Sequence, residues 1–267
     1  MVEEENILHV DQTDKGVLRL TMDDQKTRNA LSEIMMESLI EELIKASAND
    51  FIRVVIIASN GPVFSAGHDL KKISEARSQN DYGEEYFKQL FDTCSSLMKL
   101  IVTCPKPVIA EVSGIATAAG CQLVASCDLA TAADSAQFAT PGVNIGLFCS
   151  TPMVALSRNV NKKHAMEMLL TGDMIDAEKA KEIGLINNYF QIPQLTEKTM
   201  LLANKIADKS AMTVSIGKDA FYGQSDLDLS SAYEYTSKIM VENILKEDAK
   251  EGIGAFIEKR PPIWRDK

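Results

Sequence analysis

The chain has 267 residues, with 28 Lys or Arg against 38 Asp or Glu, so its formal charge is −10. That balance excludes the broad basic surface a nucleic-acid backbone needs and disfavours docking on an anionic membrane. An apolar fraction of 45% with 25% charged residues is ordinary globular composition and excludes a disordered or low-complexity chain.

The acidic start, Met1-Val2-Glu3-Glu4-Glu5, has neither the apolar stretch of a signal peptide nor the arginines of a transit peptide. It predicts a cytoplasmic protein, with the mitochondrial matrix as the alternative for a processed chain. Val17 to Met22 alternates and predicts a strand. Leu31, Ile34, Met35, Leu39 and Leu43 recur at helical spacing and predict an amphipathic helix over 31–46, capped by Asn29 or Ser32. Val54-Val55-Ile56-Ile57 predicts a buried strand, closed by an Asn60-Gly61-Pro62 turn.

Phe64 to Leu70 follows, in which small Ser65, Ala66 and Gly67 let a ligand approach the backbone just before a helix start. Lys71 and Lys72 add positive charge there. Residues 74–83 are polar and aperiodic and predict a loop beside a site. Helical spacing returns over 86–102, Pro105 and Pro107 break it, and Val108 to Val112 predicts the next strand. Gly114 to Gln122 is a run of small residues that enters a short buried helix over 120–127. The N–H groups near Ala119 and Gly120 then stand at a helix start. Two such preorganised donors converging on one oxygen make an oxyanion hole, although small residues also serve close helix packing.

Strands are predicted at 129–133 and 138–139. From Thr151 the pattern is mostly helical, over 151–159, 162–170, 176–183, 196–209 and 226–246, with Ser150 and Thr151 expected as an N-cap pair. The longest uncharged stretch, Val112 to Cys127, is shorter than the ~20 residues a membrane-spanning helix needs. Five cysteines without a CxxC pair argue against a disulfide framework or a zinc ribbon and predict small buried hydrophobes. No metal site is expected.

These segments together resemble the crotonase (enoyl-CoA hydratase/isomerase) superfamily over nearly the whole chain. The marks are Lys26 to Leu31, Phe64 to Leu70, Lys106 to Ala110, Cys127 to Ala130, Phe138 to Gly146, Met168 to Gly172, Ala177 to Gly184, Glu251 to Ile253 and Phe256 to Arg260. The resemblance implies an α/β fold, a spiral of ββα units with a helical C-terminal trimerisation region. An acyl-CoA-binding core would occupy 1–195 and an oligomerisation region 196–267. It implies a homotrimer or hexamer acting on an acyl-CoA thioester, with no further cofactor because coenzyme A is part of the substrate.

Carried over residue by residue, the thioester oxygen would sit between the backbone N–H groups of His68 and Ala119. Contacts to coenzyme A would come from Lys26, Thr27, Arg28, Ala66, Gly67, Asp69, Leu70, Lys71 and Gly120, and from Lys259 across a subunit boundary. The chain departs from the family at its two acid/base glutamates, where it has Gln122 and Gly142. Neither residue can move a proton. Three readings follow. The first is a lyase with relocated acid/base groups, for which His68, Glu111, Ser150 and the 74–83 segment are candidates. The second is decarboxylation of a malonyl-type thioester, which needs no base, although Cys149 stands where such enzymes carry a tyrosine. The third is a CoA-binding oligomer without turnover.

Overall fold

The structure is a computed structural model and describes residues 7–267; the acidic start lies outside the described residues. The chain winds as a spiral. Strands β1 (Leu8–Gln12) and β2 (Val17–Met22) form a hairpin, and helix α1 (Glu33–Ala48) returns the chain to β3 (Val54–Ser59). Each later turn places one strand in each of two sheets and then a helix. Strands β3 and β4 (Val63–Ser65) lead to α2 (Leu70–Ala76) and α3 (Glu84–Thr103). Strands β5 (Val108–Val112) and β6 (Ile115–Thr117) lead to α4 (Ala119–Ser126), and β7 (Leu129–Ala133) and β8 (Gln137–Ala139) follow. The six-stranded sheet runs β1-β2-β3-β5-β7-β10, with β10 at Asn188–Phe190, and only β1 is antiparallel to its neighbour. The four-stranded sheet runs β4-β6-β8-β9, with β9 at Ile175–Asp176.

The period-two pattern of the strands sorts their side chains onto two faces. Val55, Ile57, Val108 and Ala110 face the core shared with α1, α3 and α4. Val54, Ile56 and Ile109 face the other way, against Ala203 and Ala207 of α8 (Ile192–Ala207). Helix α8 therefore closes the second face of the sheet, and residues 196–207 pack with the core although the sequence boundary was drawn at 195. Beyond it, α9 (Ala211–Gln224) is tied back by Lys218, which donates to the carbonyls of Ile101 and Lys106 and pairs with Asp128 at 2.7 Å. Helices α10 (Leu229–Ile244) and α11 (Glu247–Glu258) keep large apolar side chains in solvent.

Several sequence expectations change. Residues 74–76 are the last turn of α2 rather than loop, and only 77–83 form turns. Ser32 caps α1 by accepting from the Met35 N–H, whereas Asn29 is buried and braces the preceding loop. Thr151 precedes α5 (Pro152–Asn159), but neither it nor Ser150 caps the helix; Ser150 Oγ turns back to the Phe148 carbonyl. Strands β1, β4, β6, β9 and β10 and helices α9 and α11 were not among the elements placed from the pattern. Most of these strands are two or three residues long, too short for a period to register.

Candidate functional site

The site forms where the two small-residue segments meet. Strands β4 and β6 pair in parallel, and Thr117 Oγ1 donates to the Ala66 carbonyl at 3.2 Å. The 24–31 loop lies along the other side, with Ala66 N–H donating to Arg28 and Leu31 N–H to Gly67. Gly67 has φ +86°, and a Cβ added there would lie 2.9 Å from Ala118 Cβ and 3.2 Å from Ala119 N. A Cβ on Gly120 would likewise lie 2.8 Å from Ser65 Cβ. Both positions exclude a side chain because two backbones approach there.

This contact brings the N–H groups of His68 and Ala119 into one neighbourhood. Neither N–H has a hydrogen-bond partner among the described residues. Ala119 is the first residue of α4, where an N–H has no partner within the helix and carries partial positive charge. Ala118 before it adopts φ 50°, ψ −118°, a conformation that favours glycine, at a cost of about 1–3 kcal/mol. Its N–H to Ala139 and its carbonyl from Gln122 hold it there. Nothing in the sequence announces that strain, since an alanine in a small-residue run looks like ordinary packing.

Gln122 lies on α4 two residues past Gly120, buried, with its Oε1 3.9 Å from Cys94 Sγ of α3. Gly142 is buried in the short 3₁₀ turn Pro141–Ile145. A Cβ at Gly142 would lie 2.7 Å from the Leu147 carbonyl oxygen and 2.9 Å from Cys149 Sγ. The returning 147–149 segment thus fills the space beside Gly142. Gly142→Glu should destabilise the fold by about 1–3 kcal/mol through overpacking, read as a lowered denaturant midpoint. An unchanged midpoint would mean that the segment moves aside freely.

His68 is half buried, with Nδ1 3.0 Å from the Leu31 carbonyl and its ring edge-on to Phe91 at 5.6 Å. Burial pushes the imidazole below its usual pKa, opposed by the Leu31 hydrogen bond and the Glu33 charge. Burial raises the thiols of Cys94 and Cys121 to about 12. It also pushes the Cys149 thiol up from its ordinary value. All five cysteines are free and buried, and at Cys149 the raised thiol disfavours a nucleophile.

Glu111 is not at the site. It lies on the α8 face of the sheet, buried, held by two hydrogen bonds from Arg19 at 2.8 and 2.7 Å and one from Thr196 at 2.8 Å. It is a structural ion pair, so the acid/base candidacy read from the sequence fails.

Of the remaining residues, Lys26 and Arg28 are exposed on the loop beside Ala66, and Lys71 is exposed at the start of α2. Thr27 bonds Asp24 and the Ala30 N–H within the loop, and Asp69 caps α2 by accepting from the Lys71 N–H. Leu70 is exposed. Lys72 is partly used, pairing with Glu33 at 3.2 Å. Among the described residues, no hydrogen bond within the chain joins Lys259, at the end of α11, to this group.

The family model for enoyl-CoA hydratase/isomerase matches residues 12–267. The chain belongs to the enoyl-CoA hydratase/isomerase family. Its members include the human enoyl-CoA hydratase domain-containing protein 3, mitochondrial, which is 48% identical over 249 residues, covering 93% of this chain and 80% of that one. The crystal structure of that human protein superposes with a TM-score of 0.91 at 47% identity, covering 97% of this chain and 100% of the other. A crystal structure of an enoyl-CoA hydratase from Mycobacterium smegmatis gives a TM-score of 0.93 at 45% identity, covering 97% and 99%. The fold of the family is therefore the fold of this chain.

Proposed function

We propose that this protein binds an acyl-CoA thioester and stabilises its enolate between the N–H groups of His68 and Ala119, acting as a lyase of the hydratase type. The observation that carries this reading is the pair of unpartnered N–H groups held together by the Gly67–Ala119 contact. Fixed dipoles of this kind favour the developing oxyanion over the neutral carbonyl and need no reorganisation when the charge forms. Lys26, Arg28 and Lys71 supply positive charge beside it, which an acidic protein needs where a polyanionic carrier enters.

The absence of a carboxylate at Gln122 and Gly142 favours a second reading, decarboxylation of a malonyl-type thioester. Loss of CO2 generates the enolate without a base. A thioester panel separates the readings. Crotonyl-CoA should lose its enoyl-thioester absorbance under the first reading, and malonyl-CoA or methylmalonyl-CoA should release CO2 under the second. Binding should weaken as salt rises and weaken further when Lys26 and Arg28 are neutralised together. Saturable binding with no turnover of any member would indicate a CoA-binding oligomer, and no binding at all would remove the thioester reading.

The exposed Leu245, Phe256 and Ile257 of the C-terminal helices, at 79%, 86% and 73% exposure, support assembly into a homotrimer or hexamer. We read residues 196–267 as the region that carries this assembly, with α8 shared by the core. The word mitochondrial in the names of several relatives supports the matrix over the cytoplasm.

A further inference from the structure

The backbone of His68 has a place in the reading above, but its imidazole does not. Nδ1 stands 3.0 Å from the Leu31 carbonyl oxygen, which can only accept, so Nδ1 carries the hydrogen. In the neutral ring Nε2 is then a bare lone pair. That atom is buried and has no hydrogen-bond partner among the described residues. Thr140 Oγ1 is the other buried side-chain atom in this condition, but a hydroxyl can turn its hydrogen toward whatever is near and does not titrate.

The surroundings of the ring keep it neutral and ready to accept. Burial disfavours the imidazolium. From α1, Glu33 acts on the ring through space, but its carboxylate is engaged by Lys72 of α2 and by Tyr86 of α3. Asp69, next in sequence, is turned to the Lys71 N–H. From α3 the ring meets the edge of Phe91.

Helix α3 also tells where the ring lies. Phe91 and Cys94 are three apart and share one face of that helix. Phe91 touches His68, and Cys94 touches Gln122. The imidazole and the Gln122 amide therefore line the same side of the site, under one helix.

We propose that His68 Nε2 is the proton acceptor and donor of this site, replacing the two absent carboxylates. The proposal rests on the reading of the site as a thioester pocket. Water, oriented by the Gln122 amide, loses a proton to Nε2 as its oxygen bonds to the β-carbon of an enoyl thioester. The double-bond electrons move through the α-carbon to the thioester oxygen, which the His68 and Ala119 N–H groups hold. The enolate then collapses and takes the proton from Nε2 onto the α-carbon. The product is a 3-hydroxyacyl thioester, the ring returns to neutral, and no other reactant is consumed.

The test compares crotonyl-CoA hydration by the wild-type protein with that by His68→Asn and His68→Gln. Both variants keep the backbone N–H. The asparagine amide can reach the Leu31 carbonyl but places nothing at Nε2, and the glutamine amide reaches the Nε2 position without a titratable group. Each variant should lose at least ~10²-fold in kcat while its Kd for crotonyl-CoA stays within about threefold. Wild-type kcat/KM should rise with pH on one ionisation below the usual imidazole range and then level, and neither variant should show that step. Circular dichroism melting confirms that the variants fold. If the wild-type protein binds no CoA thioester, the pocket reading fails and this proposal with it. If it binds and the Asn and Gln variants turn over as fast as wild type, or the wild type hydrates nothing it binds, this proposal alone is overturned.

Discussion

Ala119→Pro will lower turnover of whichever thioester the panel identifies by about 10²–10³-fold, equivalent to roughly 3–4 kcal/mol of transition-state stabilisation. Ala119 is the first residue of α4, and its N–H has no partner among the described residues. Proline is favoured at that helical position because the missing N–H is an orphan in any case. The substitution therefore removes one of the two donors while leaving the helix ladder intact. Ala119→Gly, which keeps the N–H, is the control and should retain most of the activity. Steady-state kinetics with circular dichroism reads both effects. A folded Ala119→Pro protein with wild-type kcat would show that the oxygen is held elsewhere.

Glu111→Ala will have its effect on stability. The carboxylate is buried on the α8 face and accepts from the two terminal guanidinium nitrogens of Arg19 and from Thr196. Its removal leaves the Arg19 guanidinium without its partner where its side chain is only 21% exposed. Breaking a buried pair from one side costs about 3–5 kcal/mol, and the remaining access to water places this case at about 3 kcal/mol. Replacing both partners, Arg19→Met with Glu111→Leu, should recover much of the loss, because apolar groups need no partner. Urea unfolding of the two variants is the measurement. A small shift for Glu111→Ala, below about 1 kcal/mol, would mean that the pair contributes no more than a surface ion pair. The kcat of the folded protein should not change, since this face of the sheet is turned away from Gln122.

The same two faces explain what was legible in the sequence. The β3 run Val54 to Ile57 reads as buried because both its faces are covered, by α1 and α3 on one side and α8 on the other. Helices α1 and α3 carry long amphipathic stripes, and their spacing alone locates them to within a few residues. Glu111 was misjudged for a related reason. A carboxylate in an apolar strand suggests either a surface edge or an active site, and only the position of Arg19, in a strand two places away in the sheet, decides for a buried ion pair.

The site shows the same division. The small residues at 65–67 and 114–120, and the uncharged Gln122 and Gly142, are properties of the sequence and were visible there. That the chain belongs to its family needed no coordinates. The meaning of those residues did need them. Gly142 is glycine against Cys149, seven residues later, and Gly67 is glycine against Ala119, fifty-two residues later. Steric exclusion between distant backbones leaves no periodic trace. The strain at Ala118 and the unpaired Nε2 of His68 are likewise consequences of packing. Residue type specified which groups could act as donors, acceptors and space-fillers. Tertiary structure alone decided which of them met, because hydrogen bonding and close contact depend on distances that the spiral sets between segments far apart in the chain.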